Sequence, residues 1–186
     1  DDMVSTARST LEDLVDHDVD AILLPGDFFH SRDLRPKVLA DAERALGAVP
    51  DEVPVLVSCG NHDENLTQRP VTWLNYLHRR GKIVHLEADL QASDEEARFA
   101  LYEADEPGNS AGFYDIDVDG ADAPVRVFGL QWRGARTDTA LERVARGIRA
   151  ANDDHGAPAY TVLLAHFGIE EEVPDLGANV THAELE

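Results

Sequence analysis

Ala21-Ile22-Leu23-Leu24-Pro25-Gly26-Asp27-Phe28-Phe29-His30 and Val53-Pro54-Val55-Leu56-Val57-Ser58-Cys59-Gly60-Asn61-His62-Asp63 share one pattern. Each opens on an apolar, β-rich run and breaks at a glycine into a carboxylate or amide, followed by an imidazole. Short apolar runs bounded by turn residues read as buried strands. Both sets of polar groups therefore fall on loops at the carboxyl ends of strands, where open α/β sheets bind ligands. His166 takes a third such position, closing the run Tyr160-Thr161-Val162-Leu163-Leu164-Ala165. Asp, Asn and His form a mixed oxygen and nitrogen donor set suited to the divalent metals of phosphate chemistry.

Outward from these loops the order is helix, strand, motif, repeated. Met3 to about His17 reads as a helix with Val4, Ala7, Leu11, Leu14 and Val15 on one face, ahead of a strand at Asp20–Leu24. Pro36 stands near the start of a second helix that runs to about Leu46, where its missing N–H costs nothing. A strand at Pro54–Val57 leads into the Gly60 loop, then come a helix from about Val71 to Arg80 and a short strand at Lys82–Leu86. Ala88 to Gly112 is acidic and loop-like, apart from a short strand expected at Arg98–Tyr102. Phe113–Val118 and Pro124–Leu130 flank Asp119-Gly120, a hairpin signal with fitting turn chemistry. A helix over Thr139 to about Asn152 and a buried strand at Ala159–Ala165 follow, and the tail carries Glu170-Glu171-Glu172, Pro174 and a short helical end. Parallel βαβ units followed by an antiparallel hairpin predict a layered α/β fold. Neither an internal repeat nor a low-complexity linker interrupts it.

At 186 residues the chain fits one domain with a proper core, and its hydrophobic fraction of 43% is ordinary for a globular protein. No apolar run approaches membrane-spanning length and no signal peptide is recognisable. The chain begins at Asp1-Asp2 without a methionine, so an upstream segment is expected. A lone Cys59 rules out an internal disulfide and is compatible with a reducing cytoplasm. The net charge of −21 is unusual: 37 acidic residues face 16 basic ones, of which only Lys37 and Lys82 are lysines. One reading is an acidic protein that avoids nucleic acid. The other is adaptation to high salt, which screens carboxylate repulsion. The acid is spread along the chain rather than blocked in a tail, which favours the halophilic reading.

Taken alone, Gly26-Asp27 with His30 reads equally as a cap or turn and as a ligand motif. Gly60-Asn61-His62-Asp63 is more specific, because consecutive polar side chains after a buried strand are costly unless satisfied. Together they read as a metal site. Hydrolysis of a phosphodiester calls for two cations roughly 3.5–4 Å apart. Asp27 offers two oxygens and is the bridging candidate; Asn61 adds a neutral oxygen and His166 an imidazole nitrogen. His62 is the candidate proton donor or charge stabiliser at the phosphate and leaving group. His30 orients His62, touches phosphate or supports the ligands from behind, and a direct catalytic role is preferred. Asp63 is expected to anchor the loop through backbone hydrogen bonds.

The remaining candidates have plainer readings. His17 suits the negative end of a helix dipole. His78 belongs to a helix, His85 ends a strand, His155 lies in a loop and His182 is near the chain end. Cys59 is a small buried residue rather than a nucleophile. Trp73, Tyr76 and Leu77 form core or interface, not a base-stacking platform.

These runs resemble the calcineurin-like metallophosphoesterases, and more narrowly the SbcD/Mre-eleven family of double-strand-break repair nucleases. Gly26-Asp27-Phe28-Phe29-His30-Ser31-Arg32 with Arg35-Pro36 is close to that family's Gly-Asp-Leu-Phe-His and its downstream Pro. Gly60-Asn61-His62-Asp63 matches directly, and Leu163-Leu164-Ala165-His166-Phe167-Gly168 is similar to its later strand-His element. The resemblance implies a layered β-sandwich flanked by helices and a nuclease acting on DNA ends with two divalent cations, Mn2+ above all. It also implies a homodimer, joined through the helices that follow the first two motifs, and a partner ATPase of the Rad-fifty/SbcC type. Asp27, Asn61 and His166 then correspond to metal ligands, His62 to the catalytic histidine and His30 to the other active-site histidine. The family's opening Asp-x-His has no counterpart: Asp153 to His155 comes in the wrong order and in a loop. No two histidines stand two residues apart to supply its closing His-x-His. Residues 1–186 are accordingly expected to be a fragment of one nuclease domain that binds metal weakly by itself.

Two other readings stay open. A different calcineurin-like hydrolase would act on smaller phosphodiesters or phosphoproteins, and a scaffold with a degenerate site would bridge DNA ends. For the nuclease, metals and arginines such as Arg32, Arg35 and Arg69 must offset an acidic surface, since salt weakens phosphate binding steeply.

Overall fold

The computed structural model describes residues 2–31, 33–63, 71–105, 108–169, 172 and 179–185. Arg32, Arg69 and most of the acidic stretch after Ile169 lie outside the described residues.

Helix α1 (Asp2–Asp16) precedes strand β1 (Ile22–Pro25), and α2 (Pro36–Leu46) precedes β2 (Val55–Ser58). Helix α2 starts at Pro36 as the sequence predicts, with Arg35 extended at the N-cap. Helix α3 (Trp73–Arg79) opens on a reciprocal cap: Thr72 accepts from the Asn75 amide, and the Asn75 side chain reaches back to the Thr72 N–H. Strand β3 (Val84–Leu86) completes a parallel sheet of order β1-β2-β3. Its register sets Ile22 against Val55 and Leu56 against Val84, so all three strands end at one edge.

Strands β4 (Phe113–Ile116), β5 (Val125–Leu130) and β6 (Tyr160–Ala165) form the second sheet. There β4 runs antiparallel and β6 parallel to β5, and α4 (Thr137–His155) makes the β5–β6 crossover. Leu56, Val84, Leu86, Ile116, Val127 and Leu164 pack between the sheets. Alternate residues Ile22, Val55 and Val57 turn outward onto Leu11, Leu46, Leu74 and Leu77 of the first three helices. Phe113, Phe128 and Leu130 meet Ala140, Val144 and Ala151 of α4. The result is a sandwich of two sheets with helices outside, the architecture expected. A short parallel pair, β7 (Gly168–Ile169) with β8 (Asn179–Val180), and α5 (His182–Leu185) close the chain.

Four expectations need correction. Arg98–Tyr102 forms no strand, only isolated bridges from Asp89 to Arg98 and from Leu101 to Phe113. The hairpin pairs as expected, but its last rung is Ile116 with Val125, so the connection is long. The turn at Asp119-Gly120 is confined to the tip, closed by Ala121 N–H on the Val118 carbonyl. Strand β6 is not fully buried, because it is the outer strand of its sheet; Tyr160 is 73% exposed. His155 lies in the last turn of α4, not in a loop, and its ring meets Phe113 edge-on at 5.1 Å.

Candidate metal and catalytic site

The carboxyl ends of β1, β2 and β6 deliver three loops to one place. Gly26 leaves β1 with φ 89 and Asp27 follows at φ 51, a left-handed backbone that Asp tolerates better than most residues. That backbone turns the Asp27 carboxylate toward the second loop, where Oδ1 accepts the His62 N–H at 3.0 Å. Glycine is obligatory at Gly60, since a Cβ there would stand 2.2 Å from the Asp27 backbone nitrogen and Oδ1.

Asp63 locks the two loops together. Its carboxylate accepts N–H groups from Phe28 (3.1 Å), Phe29 (2.9 Å) and Gly60 (3.1 Å). Burial pushes its pKa up, and the three amide donors oppose that shift. This is the anchoring role expected. Phe29 is buried in the core and fixes the first loop from beneath.

His166 arrives from β6. Its Nδ1 lies 2.9 Å from the Pro25 carbonyl, which can only accept, so Nδ1 is the donor and Nε2 of the neutral ring presents a lone pair. Nε2 faces Asn61 Oδ1 at 3.1 Å and Asp27 Oδ2 at 3.5 Å. Three acceptor atoms from three strand ends therefore converge. Ligands about 2.1 Å from a cation and at right angles lie about 3 Å apart, so one divalent ion suits this face. The outer hydrogen bond to Pro25 is the kind that orients a metal-bound imidazole. Among the described residues no group of three His, Cys, Asp or Glu is gathered for a metal, so this cluster needs the Asn61 amide as its third donor.

His62 Nε2 lies 3.9 Å from Asp27 Oδ2, and its side chain is 44% exposed. The His30 ring stacks on it at 5.3 Å with 23° between planes. All five candidates, Asp27, His30, Asn61, His62 and His166, thus fall in one cluster. Three of the plainer readings hold as well, whereas His155 lies in a helix and His85 in the middle of its strand. Cys59 is buried, His17 Nδ1 bonds the Asp13 carbonyl at 2.7 Å beyond α1, and Trp73 and Tyr76 pack on the core.

Sequence reasoning passed over Trp132. Its backbone N–H donates to the Cys59 carbonyl at 2.8 Å, which ties the segment after β5 to the Gly60 loop. The available signal was an aromatic two residues past a strand whose parallel neighbour, β6, leads into His166.

The sequence model of the family described as calcineurin-like phosphoesterase matches residues 4–172. No curated protein matches the chain.

Proposed function

The chain belongs to the calcineurin-like phosphoesterases, a family of metal-dependent phosphoester hydrolases, and from that premise we propose that it is a nuclease hydrolysing phosphodiesters at DNA ends in double-strand-break repair. The observation that carries the reading is the convergence of Asp27, Asn61 and His166 beside the stacked pair His30 and His62. Asp27, Asn61 and His166 would hold divalent cations, Mn2+ in our reading, which supply positive charge to the phosphate oxygens and activate water.

The chain's own groups do the rest. Asp27 spends Oδ1 on the His62 amide and keeps Oδ2 toward His166. Pro25 holds His166 in one tautomer, so no proton has to leave Nε2 before it ligates. His62, half exposed above Asp27, is placed to protonate the departing oxygen. His30 restrains the His62 ring from its other face. Support for a nuclease over other members of the family comes from the run Phe28-Phe29-His30, in which a buried Phe29 aims the histidine. In this reading the protein works in high salt as a homodimer, with α2 and α3 carrying the contact, beside an ATPase of the Rad-fifty/SbcC type. Among the described residues no helix is long and apolar enough to cross a membrane.

The test is a nuclease assay on the full-length protein in molar KCl with manganese, comparing linear duplex DNA with bis-p-nitrophenyl phosphate. Cleavage of duplex ends that His62→Ala abolishes is the expected result. Turnover of the small diester with DNA untouched would assign another phosphodiesterase, and silence on both would favour the scaffold.

A further inference from the structure

Trp132 is one of two tryptophans in the chain, and the two are placed differently. Trp73 packs on the core beside Tyr76. Trp132 is half-buried yet joins none of the three hydrophobic clusters among the described residues.

Its surroundings are specific. Trp132 stands two residues past Leu130, the last residue of β5, whose partner Ala165 immediately precedes His166. On the other side its backbone N–H bonds the Cys59 carbonyl at 2.8 Å, just before the Gly60-Asn61-His62 loop. Trp132 is therefore flanked by the two loops that carry Asn61, His62 and His166. The stem is rigid: the Gln131 side chain bonds both the N–H (3.1 Å) and the carbonyl (2.9 Å) of Ala88. The indole lies over Gly134, where a Cβ would stand 3.3 Å from Cζ2 and Cη2, and φ 58 at Gly134 folds the loop beneath it. Arg133 and an exposed Arg136 follow in the same loop. An aromatic face with adjacent cations is the combination that grips unpaired nucleic acid, since every base offers a π-face and every linkage a charge.

We infer that Trp132 is the stacking platform for a nucleobase of the strand whose backbone enters the site, with Arg136 facing a neighbouring phosphate. This inference rests on the nuclease reading and adds a positioning residue to it. A base stacked there would hold the strand while its phosphate lies at Asp27, Asn61 and His166, and would favour frayed or unpaired ends over closed duplex.

The test uses the full-length protein carrying Trp73→Phe, with the signal of Trp132 read as the difference from the same protein carrying Trp132→Phe as well. It is titrated with 5′-labelled oligothymidylate and with an abasic strand of equal length, at one fixed KCl concentration. Label anisotropy reports binding, and indole emission reports stacking. The expected result is that both strands bind and only oligothymidylate quenches the emission. Trp132→Leu should weaken oligothymidylate binding about tenfold, leave the abasic strand unchanged, and be rescued largely by Trp132→Phe. Binding of both strands without quenching would overturn the platform and leave the nuclease reading standing. Equal weakening of both strands by Trp132→Leu would make Trp132 a structural residue and overturn it likewise. Failure of both strands to bind would overturn both readings.

Discussion

Phe29 and Asp63 are joined by a backbone-to-carboxylate hydrogen bond of 2.9 Å that crosses from one loop of the site to the other. With the bonds from Phe28 and Gly60 it makes a single carboxylate the fastener of both loops. Asp63→Asn loses the charge and sets an NH2 against amide donors. It should cost about 2–3 kcal/mol of stability and abolish hydrolysis, because Asp27 and His62 sit on the loops released. Urea denaturation followed by circular dichroism, alongside the phosphodiesterase assay, measures both.

Gly60 and Gly120 give a paired test of close approach against backbone strain. Gly60→Ala drives a methyl into Asp27 and should destabilise by about 1–3 kcal/mol with loss of activity. Gly120→Ala meets nothing within 4 Å and carries only the penalty of φ 81, about 1 kcal/mol. Its activity should match the unaltered protein in the same assay.

Metal affinity depends on the acceptors that face one another at the strand ends. His166→Ala and Asn61→Ala should each weaken Mn2+ binding at least tenfold, roughly the scale of site perturbations, with the far-ultraviolet spectrum unchanged. Titration followed by manganese electron paramagnetic resonance reads the affinity directly. Chelation should lower the thermal midpoint of the unaltered protein more than that of either variant.

His85 sets a pH dependence of stability. It is fully buried in the middle of β3, not at its end as the sequence suggests, with Asn75 Nδ2 3.3 Å from Nδ1 and Glu87 3.6 Å from Nε2, beyond hydrogen-bond range. Burial holds its pKa below the ordinary 6.5, while the Glu87 carboxylate pulls upward and His78 adds to the lowering. The unfolded chain therefore binds a proton near pH 6.5 that the fold refuses, and stability falls as pH drops below that value. The slope is at most about 1.4 kcal/mol per pH unit. His17, raised by its bond to the Asp13 carbonyl, acts in the opposite sense, stabilising below 6.5 and losing that as pH rises through its folded value. Urea midpoints from pH 7.5 to 5.5 should show the decline, and His85→Leu should flatten it.

Arg126 is a buried guanidinium whose partners are all visible. It takes both oxygens of Asp115 at 2.7 and 2.8 Å, then Asn152 and the Gly156 carbonyl, and lies over the Phe113 ring. Asp115→Ala leaves that charge short of its counterion and should cost about 3–5 kcal/mol, measured by thermal or urea denaturation. The site lies on other strands, so activity at permissive temperature should persist.

Most of the first sheet was legible because its signals are local. Pro36 marks the start of α2, and apolar runs ending in glycine mark β1 and β2. The loops carrying Asp27, His30, Asn61, His62 and Asp63 could be read for the same reason. What failed depended on neighbours distant in sequence. The exposure of β6 follows from its outer place in the sheet, which no run of Val and Leu announces. Arg98–Tyr102 has strand-like residues but only single bridges to pair with. Asp119-Gly120 fitted a two-residue hairpin turn, yet only Gly120 takes a positive φ, so the tip widened. Trp132 gained its meaning from a hydrogen bond to Cys59, far away along the chain.

The bond from His166 to the Pro25 carbonyl joins residues 141 positions apart. On a ribosome, the Asp63 fastener can close once the first two strands have emerged, since all its partners lie within residues 28–63. The imidazole that completes the acceptor cluster comes only with β6, after α4 has crossed over. Long-range closures of this kind are the slow part of folding. Hydrolytic competence is thereby a late event in the life of the nascent chain, and a product cut short before Ala165 would carry both motif loops and no capacity to cleave.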